Sequence, residues 1–230
     1  MTAADTREPL PGAGPTRRAW PAERRAVAVL RLPWLYLVSR RVPAALGLLA
    51  GLAVLLWSAL FWHWGISGGR AAQQFISLTI ETAAAAVIAV TTYGPFGEPE
   101  RATGRWLPYL RLGAAVALTA IAYGALAAGA TGGALPGGTV ALLRNLVGIT
   151  GIGLLSAAAV GGAFAWTGPL AYLLVTEVAL TGNPTTPWLW AARPPDDLGG
   201  ALCAALLFAA GTAAVTLFGA RDSGRRFTPE

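Results

Sequence analysis

The chain has 230 residues, of which 55% are hydrophobic and only 12% charged, and it carries a net charge of +6. Soluble domains carry roughly a quarter charged residues, so this composition excludes an ordinary water-soluble globule and fits a polytopic membrane protein, in which each span shows as ~18 or more apolar residues. The charge does not point to nucleic acid, because the 17 basic residues, all arginine, form no single patch and instead sort by side of the apolar runs.

Residues 1–19 are rich in Pro, Gly, Ala and charge and read as a disordered tail. Residues 20–42, "WPAERRAVAVLRLPWLYLVSRRV", bracket an apolar, aromatic middle with arginines. That pattern suits an amphipathic helix lying in the membrane interface, broken or kinked at Pro33. Some 40 residues precede the first long apolar run, so no cleavable signal peptide is expected.

Residues 43–220 read as a six-helix transmembrane domain, with spans at about 44–64, 72–92, 108–129, 143–165, 169–181 and 199–219. The fifth is short: ~13 residues rise only ~20 Å, against a hydrocarbon core of ~30 Å. Behind it, "NPTTPWLWAARPP" (183–195) suggests a partly membrane-inserted segment, tolerable only where protein or water covers its backbone. Residues 221–230 form a polar tail. With the N-terminus inside, 14 arginines fall on the inner side and only Arg70, Arg144 and Arg193 on the outer. The positive-inside rule therefore predicts both termini cytoplasmic, in a multi-pass protein of the cell (inner) membrane.

The loop between spans two and three is punctuated: "TTYGPFGEPERATGRWLPYL" holds turn-formers and paired charges. Glu98-Pro99-Glu100-Arg101 opens like a short helix, with proline and acidic groups in its first turn and Gly104 to end it. It is either a solvated connector or a surface helix that engages a cytoplasmic partner. Glu81 sits near the middle of span two, where a charge costs ~2.5–3.5 kcal/mol on insertion scales and usually faces a cavity or partner. Gln73, Gln74, Ser77 and Glu81 recur at helical spacing and form one polar stripe. Glu81 is either a neutral glutamic acid hydrogen-bonded to a neighbouring helix or a lining residue of a transport path that includes Gln74, Ser77 and Glu177. Arg144 is a possible counter-charge for Glu177. Gly47 and Gly51 form a GxxxG in span one, and Gly148, Gly151, Gly153 and the Gly161-Gly162 pair mark span four. Such small residues serve close helix packing or dimerisation.

No HExxH or P-loop occurs, and no enzyme activity and no cofactor is expected. His63 is the sole histidine and Cys203 the sole cysteine, which leaves no metal site in prospect.

"PFGEPERATGRWLPYLRLG", "LLRNLVGITGIGLL" and "WAARPPDDLGGAL", together with an inner interfacial helix, six spans, a helical loop after span two and a broken element between spans five and six, resemble the membrane subunit of ABC-2 type exporters, of the small actinobacterial kind. The resemblance covers about residues 24–220. It implies a permease with no ATP site of its own, paired with a second membrane subunit, alike or different, and with two copies of a separate ATP-binding subunit. Glu98, Glu100, Arg101 and Arg105 would then form the ATPase-coupling loop, residues 24–41 a second ATPase contact, and substrate would pass between the membrane subunits. The chain departs from that pattern in its short outer loops and truncated fifth span. Two other expectations stand beside it: a self-contained channel or secondary transporter using Glu81, and a non-transporting membrane scaffold.

Overall fold

The computed structural model describes residues 42–62, 69–91, 107–180 and 186–218. These form helices α1 (Val42–Phe61), α2 (Gly69–Thr91), α3 (Leu107–Gly129), α4 (Gly138–Val160), α5 (Thr167–Leu180) and α6 (Leu198–Phe218). Short 3-10 turns follow α3 and α4, and a longer one, Pro187–Ala192, lies between α5 and α6. No strand occurs among the described residues.

In a bilayer the backbone must satisfy its own polar groups, which the i to i−4 ladder does. The hydroxyls inside the helices follow the same rule. Thr82, Thr119 and Thr212 each donate to the carbonyl four residues back, at 2.7, 2.8 and 2.7 Å. Five helices, all but α5, are long and apolar enough to cross a membrane. At 14 residues, α5 reaches ~21 Å, well short of a ~30 Å core. Its shortness matches the sequence reading, although it starts at Thr167, two residues before Pro169.

Helix α4 differs more from expectation. It starts at Gly138 rather than near 143, released by Gly137 at φ 76°, and it stops at Val160 because Gly161 adopts φ 106°. Gly161, expected inside span four, is therefore its terminator.

α4 is also the central helix: 67% of its most apolar stretch is buried, against 22–50% for the other four crossing helices. Glycine makes that possible. A Cβ on Gly151 would lie 2.5 Å from the backbone of Leu207 and Phe208, and one on Gly211 would lie 2.5 Å from the Gly151 carbonyl, so α4 and α6 cross backbone to backbone. Gly148 admits the Trp190 ring, and Gly153 meets Ala89 of α2. By contrast, Gly47 and Gly51 have nothing within 4 Å of their Cβ positions. Among the described residues this GxxxG packs against no other helix, because it faces outward on α1 with exposed Leu48 and Val54. The outward faces of α5 and α6 are likewise apolar, with Val178 and Leu206 exposed. Such a surface calls for lipid or another apolar partner.

The interfacial helix expected at 20–42 lies outside the described residues apart from Val42, as do both tails, His63 and the 92–106 loop with Glu98, Glu100, Arg101 and Arg105.

Candidate functional site

Ser77, Glu81, Arg144 and Asn145, four of the buried polar residues, gather at one place. A half-open cavity of about 350 Å³ lies among α2, the start of α4 and the segment before α6. Gln74, Ser77 and Glu81 supply one wall from α2, Arg144 and Asn145 a second from α4, and residues 191–195 the cover. The stripe read from the sequence is thus one wall of a pocket. Glu81 stands 12 residues into α2, about 18 Å along the axis and about midway through a ~30 Å core.

The cover is built to stay folded in. Pro187 opens the 3-10 turn and Asp197 closes the segment as the cap of α6, its Oδ2 accepting from the Gly200 N–H at 2.6 Å. Asp197 Oδ1 also takes the Arg193 guanidinium at 2.9 Å. Three helices then hold the segment by its backbone. From α2, Gln74 Nε2 donates to the Ala191 carbonyl at 3.1 Å. On α5, Tyr172 Oη accepts the Ala191 N–H at 3.3 Å. Arg144 of α4 donates from its two terminal nitrogens to the carbonyls of Pro194 and Arg193, at 2.6 and 3.1 Å. Trp190, 1% exposed, stacks on Tyr172 with ring centroids 4.5 Å apart and fills the notch at Gly148. Non-helical backbone at this depth is therefore covered and bonded by protein, as a membrane interior requires.

Inside the pocket the bonding is incomplete. Ser77 Oγ donates to Glu81 Oε1 at 3.1 Å. Asn145 adjoins the same carboxyl, and the Arg144 charge acts on it from further away. Glu81, Arg144 and Asn145 are 3, 6 and 8% exposed, yet Glu81 Oε2, Arg144 Nε and Asn145 Oδ1 have no partner. A buried polar atom left unsatisfied costs ~1–3 kcal/mol. All three belong to residues that line the cavity, although the atoms themselves are shut off from it.

Of the expected path residues, Gln74, Ser77 and Glu81 come together and Glu177 does not. Glu177 lies on α5, lines no part of this pocket and makes no ion pair with Arg144, whose hydrogen bonds go instead to the two carbonyls of the cover. The suggested Arg144–Glu177 pair is thus not formed. Depth alone suggested it, and depth says nothing about which way around the helix a side chain points. Asn145, Tyr172 and Trp190 were not foreseen as site residues. The adjacent Arg-Asn at the head of an apolar helix was the available signal for Asn145. No group of metal-ligating side chains occurs among the described residues. The chain matches no protein-family model, no curated protein and no solved structure.

Proposed function

We propose that this chain is the permease subunit of an ATP-driven exporter of the ABC-2 type, working in the cell membrane with a separate ATP-binding subunit and a second membrane subunit. What supports the reading is the order of elements after α4: a helix too short to cross, a folded-in 3-10 segment, and then a full-length α6. That broken element is one of the layout features on which the resemblance to the family rests. In this reading six helices occupy the membrane, α5 completing its passage together with the 186–197 segment, and both termini are cytoplasmic.

The mechanism follows from the position of α2. Its end at Thr91 leads straight into the 92–106 loop, and its opposite half and middle carry Gln74, Ser77 and Glu81 into the pocket. A helix is stiff over such a length. An ATPase that closes on Glu98, Glu100, Arg101 and Arg105 therefore pulls on one wall of the pocket while Arg144 and Asn145 remain on the central α4. Closure and release of the ATPase would alternate the width of the pocket.

The test is gentle extraction of a C-terminally tagged chain from native membranes. An ATP-binding subunit should co-purify in stoichiometric amount and be lost on Glu98→Arg/Glu100→Arg. Recovery of a well-folded chain alone would overturn the exporter reading. The unpaired Glu81 Oε2 favours a second reading, a self-contained ion-coupled transporter. It predicts solute flux from the protein alone in liposomes, abolished by Glu81→Gln.

A further inference from the structure

Arg144 carries a charge that no carboxylate among the described residues pairs. A guanidinium stays protonated in proteins, and this one is almost wholly buried. Its hydrogen bonds go to the backbone carbonyls of Pro194 and Arg193, which are dipoles and not counter-charges. Asp197 gives its carboxylate to Arg193 and to the Gly200 N–H. One oxygen of Glu81 takes the Ser77 hydroxyl and the other is closed off. A carboxyl shut away from water with no cation bonded to it is most stable as the neutral acid. A buried cation left without a counter-charge is costly.

The cavity beside Arg144 has the same sign. Arg144 and Arg193 both line it, and Glu81 is the one acidic residue in its described lining. Pro136, Gly137 and Ala141 bring the first turn of α4 to the wall. That turn is the positive end of a 23-residue helix, and it has no side-chain cap. Leu78, Ala191, Ala192 and Pro195 make the apolar part of the lining. A cation in this space is repelled by Arg144, and a neutral molecule leaves its charge uncompensated. A dianion brings one negative charge too many. At about 350 Å³ the space is near the lower end of small-molecule sites, and its apolar wall suits more than a bare ion.

We propose that this pocket binds a small organic monoanion, a carboxylate on a short apolar body. The carboxylate lies towards Arg144 and the start of α4, and the body lies along the alanines and prolines of the cover. The attraction acts through space in a low-dielectric setting and needs no contact with the closed-off Arg144 Nε. A lipid phosphodiester is a monoanion too, and the test separates the two sources. The proposal does not rest on the exporter reading, since the site lies within one chain and needs no ATPase to form.

Equilibrium binding of radiolabelled butyrate at neutral pH, to the full chain in phosphatidylcholine nanodiscs, tests it. Butanamide and butylammonium are the neutral and cationic controls of equal length. Saturable binding at one per chain is expected, with both controls at least ~10-fold weaker, the lower end of what one charged interaction is worth. Gln74→Glu and Gln74→Met both remove the bond to the Ala191 carbonyl, but only the first adds a negative charge to the wall. Gln74→Glu should therefore bind at least ~10-fold more weakly than Gln74→Met, and thermal melts show whether both fold. Glu81→Gln exchanges a neutral acid for a neutral amide and should bind within about twofold of wild type. That result also separates this site from the ion-coupled reading, in which the same change abolishes flux. Competitive loss of butyrate binding in phosphatidylglycerol discs would make a lipid phosphodiester the ligand, with the monoanion chemistry intact. The proposal is overturned if neither butyrate nor phosphatidylglycerol binds, or if butanamide or butylammonium binds as tightly as butyrate. Equal binding in folded Gln74→Glu and Gln74→Met also sinks it, as does a loss of about tenfold or more in Glu81→Gln.

Discussion

Gly151→Ala adds one methyl group at the tightest point of the bundle. Its Cβ would lie 2.5 Å from the Leu207 carbonyl carbon and from the Phe208 nitrogen, and 2.6 Å from the Leu207 oxygen. These are backbone atoms and cannot rotate away. An ordinary contact needs ~3.5 Å or more, so α4 and α6 must part by about 1 Å where they cross. Overpacking costs ~1–3 kcal/mol, and the rigid neighbour puts this case at the upper end. Alanine's better helix propensity returns up to ~1 kcal/mol, leaving a net loss of about 2 kcal/mol. Gly47→Ala is the internal control, for nothing lies within 4 Å of its Cβ; it should be neutral or slightly stabilising. The double variant Gly151→Ala/Gly211→Ala should lose less than the two single losses added, because the same separation accommodates both methyl groups. Unfolding in mild detergent, followed by SDS titration, reads these differences, with Gly211→Ala alone as the fourth variant. Wild-type stability in Gly151→Ala, or an equal loss in Gly47→Ala, would refute the helix crossing.

The segment before α6 offers further tests. Asp197→Ala removes the α6 cap and the partner of Arg193 and should cost about 1–2 kcal/mol; Asp197→Asn, which keeps a capping oxygen, should cost less, and thermal melts would rank the two. Tyr172→Phe keeps the stack on Trp190 but leaves the buried Ala191 N–H without its acceptor. A loss of about 1–3 kcal/mol is expected, together with faster hydrogen exchange at Ala191 than in wild type. For topology, reporter fusions in the 92–106 loop and after Phe218 should both report the cytoplasm. A C-terminal fusion on the other side would mean that the chain crosses an odd number of times.

The helices were legible because crossing a membrane is a local demand: twenty or so apolar residues meet it whatever their neighbours are. Their facing was not. Lipid and protein interiors are equally apolar, so the outward Gly47 and Gly51 look no different in the sequence from the buried Gly148 and Gly151. Polar residues carry the missing contrast, and the spacing of Gln74, Ser77 and Glu81 did mark an inward face of α2. The opposite wall comes from Arg144 and Asn145, more than sixty positions away in the sequence, and no local pattern joins the two walls. The 186–197 segment was recognisable as irregular from its prolines and tryptophans. That it folds inward depends on Gln74, Tyr172 and Arg144 bonding its backbone, which only the assembled bundle provides.

The account turns on an open pocket lined by a carboxyl about midway along α2, which in the proposed topology faces the outside, and thiol accessibility at Ser77 tests it most directly. Ser77 lines the pocket one turn above Glu81, and Cys203 is the only native thiol, so Ser77→Cys in a Cys203→Ser chain gives a single, nearly isosteric probe. Val54→Cys, on the exposed apolar face of α1, is the lipid-facing control. A membrane-impermeant maleimide applied to intact cells should label the Ser77 position and leave the Val54 position unreacted. Labelling at Ser77 only after the cells are opened, or none at all, would contradict the pocket as described.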